Sequence, residues 1–192
     1  MRLAWCVRFV LVALALLPAA GQAQSNGRPA NFWFSGGVGG GWARVSCAIC
    51  RGERDLGAAG YLRVGVSIKD GILLGAEGNA WTRDLEENGR EWVRGVTGVG
   101  YLYPRPGGSF YVKAGVGYLG YRAEDEEDEI GTGSIGVQLG AGYEFRIGSN
   151  LHITNYMNLL TSSFGKLRSE DDVVVDDVSV TLLQIGVGLT RR

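Results

Sequence analysis

The feature that most constrains this chain is a strict alternation of side-chain type along residues 135–146. One set of alternate positions is wholly apolar and comprises Ile135, Val137, Leu139, Ala141, Tyr143 and Phe145. The other set is small or polar and comprises Gly136, Gln138, Gly140, Gly142, Glu144 and Arg146. A period of two residues places successive side chains on opposite faces of a β-strand and does not suit a helix. Residues 135–146 are therefore predicted to form a strand with one apolar and one polar face.

Seven further segments repeat the pattern, at residues 31–46, 56–68, 72–83, 91–103, 109–122, 151–160 and 178–190. Strands of about ten residues with period-two alternation are typical of transmembrane β-barrels. The chain also contains 32 glycines, which disfavour helices and suit the narrow interior of a closed barrel. The segment at 91–103 is the least regular, and its outward-facing residues are predicted to be Val93, Thr97, Val99, Tyr101 and Tyr103.

The connections between these segments alternate in length. Those at 69–71, 104–108 and 148–150 are short, whereas those at 47–55, 84–90, 123–131 and 165–177 are long and charged. Short periplasmic turns and long external loops characterise outer-membrane barrels. An interfacial aromatic girdle is expected near the short turns, formed by Phe32, Tyr101, Tyr103, Phe110, Tyr143 and Phe145.

Residues 1–23 are predicted to be a secretory signal peptide. Arg2 and Arg8 provide the positive charge, and an apolar run from Phe9 to Leu17 ends at Pro18. This run is too short to span about 30 Å of hydrocarbon. Small residues before position 24 provide a cleavage site, so the mature chain is predicted to begin with a short periplasmic leader, residues 24–30, followed by the barrel domain, residues 31–192.

The charge of the chain is too balanced to suggest nucleic acid as a partner. The full chain carries 19 Lys and Arg residues against 20 Asp and Glu residues, and cleavage would remove only two arginines. The mature chain would therefore be weakly acidic, and no nucleic-acid partner is expected.

Two segments resemble the small outer-membrane β-barrel family with the eight-stranded OmpA-type transmembrane domain. They are residues 110–118 and 140–146, in which aromatic and aliphatic residues alternate with glycine and charged residues. The resemblance extends over the mature chain and implies an all-β, eight-stranded antiparallel up-and-down transmembrane barrel in the outer membrane. It also implies outer-membrane lipids and the barrel assembly machinery as partners, a monomer, and no cofactor. Such barrels usually end in an aromatic residue, whereas this chain ends at Arg192.

Cys47 and Cys50 lie in the first long loop of a chain predicted to be exported. A local disulfide is the simplest interpretation in an oxidising compartment. A redox Cys-x-x-Cys site normally opens a helix, and no helix is predicted here. A metal site would need two further ligands, and His152 is predicted at the opposite end of the barrel.

The third long loop contains an unbroken acidic run, and the fourth contains a second acidic cluster. The run comprises Glu124, Asp125, Glu126, Glu127, Asp128 and Glu129; the cluster comprises Glu170, Asp171, Asp172, Asp176 and Asp177. Solvated loop tips are one interpretation. Capture of divalent cations by the grouped carboxylates is the other, although the spacing does not match a helix–loop–helix calcium site.

Five charged residues within the predicted strands share the glycine-rich parity. They are Arg63, Glu77, Lys113, Glu144 and Arg146, and the first four are expected to form ion pairs in the lumen. A charged lumen with an apolar exterior is the membrane arrangement. This polarity argues against the alternative interpretation, a secreted, soluble, lipocalin-like barrel that binds a small ligand. An eight-stranded interior is about filled by its own side chains, so whether it conducts stays open.

The predicted function is a non-enzymatic outer-membrane barrel of a Gram-negative-type envelope, acting as a structural or surface-interaction barrel or as a narrow pore. Barrel enzymes that use a Ser-His-acid arrangement need a histidine near the outer rim. The only histidine, His152, is predicted beside a periplasmic turn.

The turn between the second and third strands sets a specific register. A three-residue loop closed by Ile68 and Ile72, with Gly71 in the left-handed conformation, would place Arg63 directly opposite Glu77. A two-residue turn would instead direct Glu77 into lipid. The polarity pattern therefore predicts the bulged turn and an ion pair between Arg63 and Glu77.

The first prediction concerns membrane orientation. The long loops at 84–90 and 165–177 are expected to face the exterior, and the turn at Asp70-Gly71 the periplasm. An epitope inserted after Asn88 should be labelled by antibody on intact cells, whereas one inserted after Gly71 should be labelled only after the cells are permeabilised. Surface labelling of the Gly71 insertion alone would refute the topology.

Overall fold

A computed structural model describes residues 32–47, 52, 54–85, 89–124, 129–169 and 172–192. The predicted signal peptide and leader lie outside the described residues. So do Cys50, Asn88, residues 125–128 of the acidic run, and Glu170 and Asp171.

Eight antiparallel strands form a closed barrel in which each strand pairs with the next and β8 pairs with β1. Their bounds are β1 (Phe32–Ser46), β2 (Asp55–Lys69), β3 (Ile72–Asp84), β4 (Arg90–Leu102), β5 (Phe110–Glu124), β6 (Glu129–Arg146), β7 (Leu151–Ser169) and β8 (Asp172–Arg191). The predicted fold class is confirmed. In the described part of the chain, no helix is long and apolar enough to cross a membrane.

The first five strands agree with the predicted ranges to within two residues, but β6, β7 and β8 are much longer than predicted. The alternation disappears beyond residues 135, 160 and 178, yet the ladder continues into the segments predicted as long loops. Where both faces of a strand meet water, the backbone still gains from pairing while the side chains need no period. Glu129 and Asp172 therefore lie on strands rather than in loops.

The exterior of the barrel is apolar. Val38, Leu62 and Ile135 are 75%, 74% and 74% exposed and have the parity predicted to face lipid. The lumen instead receives the charged residues Arg63 and Glu77, which are 2% and 0% exposed. This polarity is the reverse of that of a soluble ligand-binding barrel and suits a hydrocarbon surround.

The orientation predicted for β4 is wrong. Val93, Thr97, Val99 and Tyr101 are buried in the lumen, together with Tyr103 just beyond the strand, whereas Val96 and Leu102 face outward. Both parities of this strand carry bulky side chains, so the sequence pattern alone does not distinguish them. Of the predicted girdle, Phe32, Phe110, Tyr143 and Phe145 are exposed, whereas Tyr101 and Tyr103 are buried.

The β2–β3 hairpin has the predicted register in its body, with Arg63 opposite Glu77. Gly71 has a φ of 79°, a left-handed conformation that glycine adopts without steric cost. The closing pair differs from the prediction. Lys69 lies opposite Ile72, and the irregularity lies between Ser67 and Lys69. The bulge thus lies in the strand before the turn and preserves the register that turns Glu77 inward.

Inward-facing glycines allow neighbouring strands to approach closely. A Cβ on Gly117 would overlap the carbonyl oxygen of Val96 on β4, and one on Gly39 would overlap the carbonyl oxygen of Ile185 on β8. Both obstacles are backbone atoms, which cannot rotate away. Outward-facing Gly98 differs, because a Cβ there would meet its nearest neighbour, the Val116 oxygen, at 3.9 Å.

Substitution of Gly117 by alanine is therefore expected to destabilise the barrel by about 1–3 kcal/mol through overpacking. The matched control, Gly98→Ala, should change the stability by less than about 0.5 kcal/mol. Urea unfolding in detergent, followed by heat-modifiable gel mobility, measures both. Equal midpoints for the two variants would contradict the close approach at Gly117.

Candidate functional site

The lumen is filled by three layers of side chains, and these layers are the candidate functional site. We call the end with the chain termini and short turns the turn end, and the opposite end the loop end. The outer plug, toward the loop end, comprises Ala43, Ala59, Trp81, Val93, Leu119, Leu160, Val180 and Leu182. The aromatic layer, toward the turn end, comprises Trp33, Leu73, Val99, Tyr101, Tyr103 and Tyr111. The polar layer between them comprises Arg63, Glu77, Asn79, Thr97, Lys113, Gln138, Asn158 and Gln184.

Glu77 is the centre of the polar layer and is fully buried. Its Oε1 accepts hydrogen bonds from Lys113 Nζ at 2.6 Å, Gln138 Nε2 at 2.6 Å and Asn158 Nδ2 at 3.2 Å. Its Oε2 accepts from Lys113 Nζ at 2.5 Å and from the Tyr101 hydroxyl at 2.7 Å. The carboxylate therefore has one cation in contact and neutral donors at its remaining acceptor sites, as a buried charge requires.

Arg63 lies in an aromatic cage. Its guanidinium carbon is 4.7 Å from the ring centre of Tyr61 and 5.2 Å from that of Tyr111. The rings of Tyr101 and Trp33 complete the cage at 5.5 Å and 5.9 Å. The guanidinium also donates to the Tyr111 hydroxyl at 2.8 Å. Cation–π attraction grows when the cation is desolvated, so these ring faces replace part of the water that Arg63 loses.

The structure differs from the predicted ion pair between Arg63 and Glu77. Their backbones are cross-strand partners, but Glu77 forms its salt bridge with Lys113. The planar guanidinium is retained among the tyrosine rings, whereas the longer, flexible lysine stem reaches the carboxylate from β5. Because Tyr101 was predicted to face lipid, the pattern did not indicate the cage.

Glu144 is bound at the turn end. It forms a salt bridge with Arg192 and accepts a hydrogen bond from the Tyr103 hydroxyl at 3.1 Å. Arg146, which shares its parity, is exposed at the end of β6, where it donates to the backbone carbonyls of Gly148 and Ser149. Of the charged residues predicted on the lumen-facing parity, Arg63, Glu77, Lys113 and Glu144 are buried in the lumen and Arg146 is exposed. Arg192, which was not predicted, joins them through its salt bridge with Glu144.

A chain of hydroxyl groups crosses the seam where β8 meets β1. Thr154 and Thr190 are linked at 2.7 Å, and Thr190 donates to Ser35 at 2.8 Å. Ser35 is linked in turn to the Tyr61 hydroxyl at 2.9 Å. These contacts join β7, β8, β1 and β2 through side chains, so the barrel closure does not depend on backbone pairing alone.

The loop end of the lumen carries a second charged cluster. Arg83 forms salt bridges with Asp55 and, at 3.2 Å, with Glu91. The Tyr121 hydroxyl donates to Glu91 at 2.9 Å. Just inside this cluster, Trp81 is 1% exposed and donates its indole N–H to the Gly41 carbonyl at 2.9 Å. The charged cluster therefore lies on the loop side of the outer plug, to which Trp81 belongs.

The remaining predicted sites are only partly described. Cys47 is disulfide-bonded, and its predicted partner Cys50 lies outside the described residues. Glu124 lies opposite Glu129 where β5 meets β6, and the acids between them are not described. Within the described residues, no group of three His, Cys, Asp or Glu side chains is placed to hold a metal ion. The cation-binding role of this run stays a prediction.

His152 lies opposite Arg146 on the β6–β7 ladder, beside a short turn, as predicted. Its position at the turn end separates it from the charged cluster at the loop end.

Sequence reasoning missed the contacts that the neutral members of the polar layer make with Glu77, and it missed the contribution of the last residue, Arg192. Gln138 and Asn158 have the lumen-facing parity, which was recognisable, but their convergence on Glu77 requires strands three and four places apart around the barrel. The alternation along a single strand does not predict contacts between side chains on strands so far apart.

Removal of the cation beside Glu77 should destabilise the barrel strongly. Lys113→Met strands a buried carboxylate, which costs on the order of 3–5 kcal/mol. Glu77→Gln combined with Lys113→Met should cost less than Lys113→Met alone. Arg90→Ala is the control, because its salt bridge with Asp84 at 2.7 Å is solvent-exposed and should contribute less than about 1 kcal/mol. Urea unfolding in detergent gives the free energies, and additive single and double losses would mean that the two groups do not interact.

Solved structures of three outer-membrane proteins are similar to this fold. Neisserial surface protein A is 13% identical with a TM-score of 0.54, over 83% of this chain and 96% of that chain. Ail, the attachment invasion locus protein of Yersinia pestis, is 16% identical with a TM-score of 0.51, over 82% and 97%. Outer membrane protein AlkL is 10% identical with a TM-score of 0.52, over 89% and 95%. At these identities the similarity concerns the fold.

A comparison with curated protein sequences gave no significant match. The family described as "Outer membrane protein beta-barrel domain" matches residues 9–190, which is nearly the whole chain. The match agrees with the closed eight-stranded barrel, its apolar exterior and its charged lumen. The chain therefore belongs to the outer membrane protein β-barrel family.

Proposed function

We propose that this protein is a closed outer-membrane barrel that acts through its external surface and does not conduct solutes. The observation that carries the proposal is the filled lumen. Trp81 and Leu182 in the outer plug are 1% and 0% exposed, and Glu77 and Gln138 in the polar layer are each 0% exposed. A solute would have to displace two successive layers of packed side chains.

The polar layer makes such displacement costly. A solute passing Glu77 would separate its carboxylate from Lys113 and from three neutral donors at once. Breaking a buried ion pair costs several kcal/mol unless water or a new partner replaces the lost contacts. This arrangement supports a barrel that remains closed in its resting state.

The protein surface beyond the membrane is the better candidate for function. β7 and β8 contain 19 and 20 residues, whereas a tilted strand crosses the hydrocarbon with about 9–11 residues. Toward the loop end, the ladder between β1 and β8 stops at the pair Ser46 and Ser179. Residues 172–178 therefore extend past β1 while β8 still pairs with β7, with register shifts along the ladder. Surface contacts can form on this β7–β8 extension.

We also propose that the chain is non-enzymatic. Its single histidine lies beside a turn, away from the acidic and hydroxyl groups of the loop end. Export through the signal peptide, folding by the barrel assembly machinery and a monomeric state complete the proposal. The predicted Cys47–Cys50 disulfide would stiffen the first external loop.

A planar bilayer measurement tests the closed lumen. The native protein should show no steady single-channel conductance in 1 M KCl. Trp81→Ala combined with Leu182→Ala should introduce conductance, or at least flickering events, because it removes two large side chains from the outer plug. Val116→Ala, on the lipid-facing side of β5, is the matched control and should remain silent.

Heat-modifiable gel mobility must show first that each variant is folded. A steady conductance in the native protein would refute the closed barrel and favour the narrow pore. If the native protein is silent but the double variant is also silent, the seal lies in the polar layer, and the same measurement on Glu77→Ala then locates it.

A further inference from the structure

Two arginines face outward near the loop end of the neighbouring strands β4 and β5, and the outward positions of these strands toward the turn end are apolar or glycine. Arg94 is exposed on β4, and its outward neighbours on that strand are Trp92 and Val96. Arg122 is exposed on β5, directly opposite Trp92. Arg94 lies opposite Gly120, two residues from Arg122, so the two arginines are diagonal neighbours with Cα atoms roughly 7–8 Å apart.

These arginines border one groove of about 660 Å³. Its lining includes Trp92, Val96, Tyr118 and Gly120. The cross-strand neighbours of Arg94 are Ala80 on one side and Gly120 on the other. Because neither has a bulky side chain, the Arg94 side chain lies in a depression rather than among packed neighbours.

The groove carries positive charge. The Arg94 guanidinium lies 5.2 Å from the ring centre of Trp92, and among the described residues it forms no ion pair. Arg122 forms a salt bridge with Glu124 at 2.8 Å, and both side chains are partly exposed. The cation–π contact orients Arg94 but leaves the N–H groups of its fork available for an acceptor.

The position of the groove relative to the apolar band indicates what the acceptor is. Trp92 and Tyr118 are of the type that marks a membrane interface, and Val96 begins the apolar wall that continues toward Leu102. An arginine on the lipid face is tolerated near an interface and disfavoured deeper in the hydrocarbon. A ligand that meets both parts of the groove must have an anionic head and an apolar tail.

We propose that Arg94 and Arg122 bind the phosphate group of a lipid in the leaflet at the loop end. The guanidinium forks match phosphate oxygens in a bidentate manner. The acyl chains then lie over Val96 and the small residues below it, Gly98 and Gly100. Free phosphate would satisfy the arginines but leave the apolar wall uncovered, so the groove is assigned to the lipid.

Native mass spectrometry of the folded full chain in detergent tests this assignment. The probes are phosphatidic acid and the phosphate-free diacylglycerol with identical acyl chains, and inorganic phosphate is the competitor. Arg94→Gln combined with Arg122→Gln should weaken phosphatidic acid binding at least tenfold. Arg94→Lys alone should retain part of the affinity, because the charge remains but the fork is lost. Arg105→Gln, in the turn between β4 and β5 at the opposite end, is the matched control and should bind as the native protein does.

Unchanged binding of phosphatidic acid by the double glutamine variant would overturn the proposal. Equal retention of phosphatidic acid and diacylglycerol by the native protein would overturn it as well, since the groove would then bind acyl chains without regard to the phosphate group. Displacement of phosphatidic acid by inorganic phosphate at comparable concentration would assign the site to a free anion. None of these outcomes bears on the closed lumen, which the conductance measurement tests separately.

Discussion

The carboxylate of Glu77 is the interaction on which the rest of the barrel depends. Glu77 projects from β3 and is contacted by Tyr101 on β4, Lys113 on β5, Gln138 on β6 and Asn158 on β7. A single acceptor group therefore joins five consecutive strands. A buried carboxylate is stable only when its charge and its lone pairs are satisfied, so this closed arrangement and register are strongly favoured over their alternatives. A slip of one residue in β3 would turn Glu77 into lipid and expose all of its donors to an empty centre.

The sequence predicts the parts of this fold that follow from polarity along one strand. Glu77, Lys113, Gln138 and Asn158 all have the glycine-rich or polar parity, and the structure places each in the lumen. For β4, the polarity pattern does not determine which face turns inward. Tyr101 and Val96 differ in parity but not in apolar character, and only the aromatic layer on the other strands determines which one turns inward. The partner of Glu77 was mispredicted for a related reason, because the cross-strand neighbour is local and the actual partner is two strands away.

The extensions of β6, β7 and β8 illustrate a different limit. A period of two residues records a difference in environment between the faces of a strand, not the presence of the strand itself. A strand that continues beyond the membrane is expected to meet water on both faces and needs no alternation, and the backbone ladder does continue from Ser162 to Ser169 on β7. The sequence pattern therefore predicts that charged residues such as Asp172 belong to loops, although Asp172 lies on β8. The end of the alternation marks the boundary of the hydrocarbon rather than the end of the strand.

The charged groups of the lumen are held by contacts within the fold, whereas Arg94 on the exterior has no ion pair among the described residues. This difference distinguishes the charged groups that stabilise the barrel from those that can bind a partner. Inside, Lys113 contacts Glu77, and Arg63 is held by tyrosine rings with Glu77 on the adjacent strand. Because Coulomb attraction is screened less in a dry interior than in water, the one carboxylate stabilises Lys113 by contact and Arg63 through space. Lys113 thus has its counter-charge within the fold, and Arg63 has the surrounding tyrosine rings instead of a carboxylate of its own, so removal of either cation acts on stability. Arg94 has no such partner among the described residues and is exposed on the outward face of β4, near the loop end. A charge that has no counter-charge within the fold costs stability at a membrane interface unless a group outside the chain balances it. The lipid-facing surface, rather than the lumen, is therefore where this barrel has charged groups available for binding.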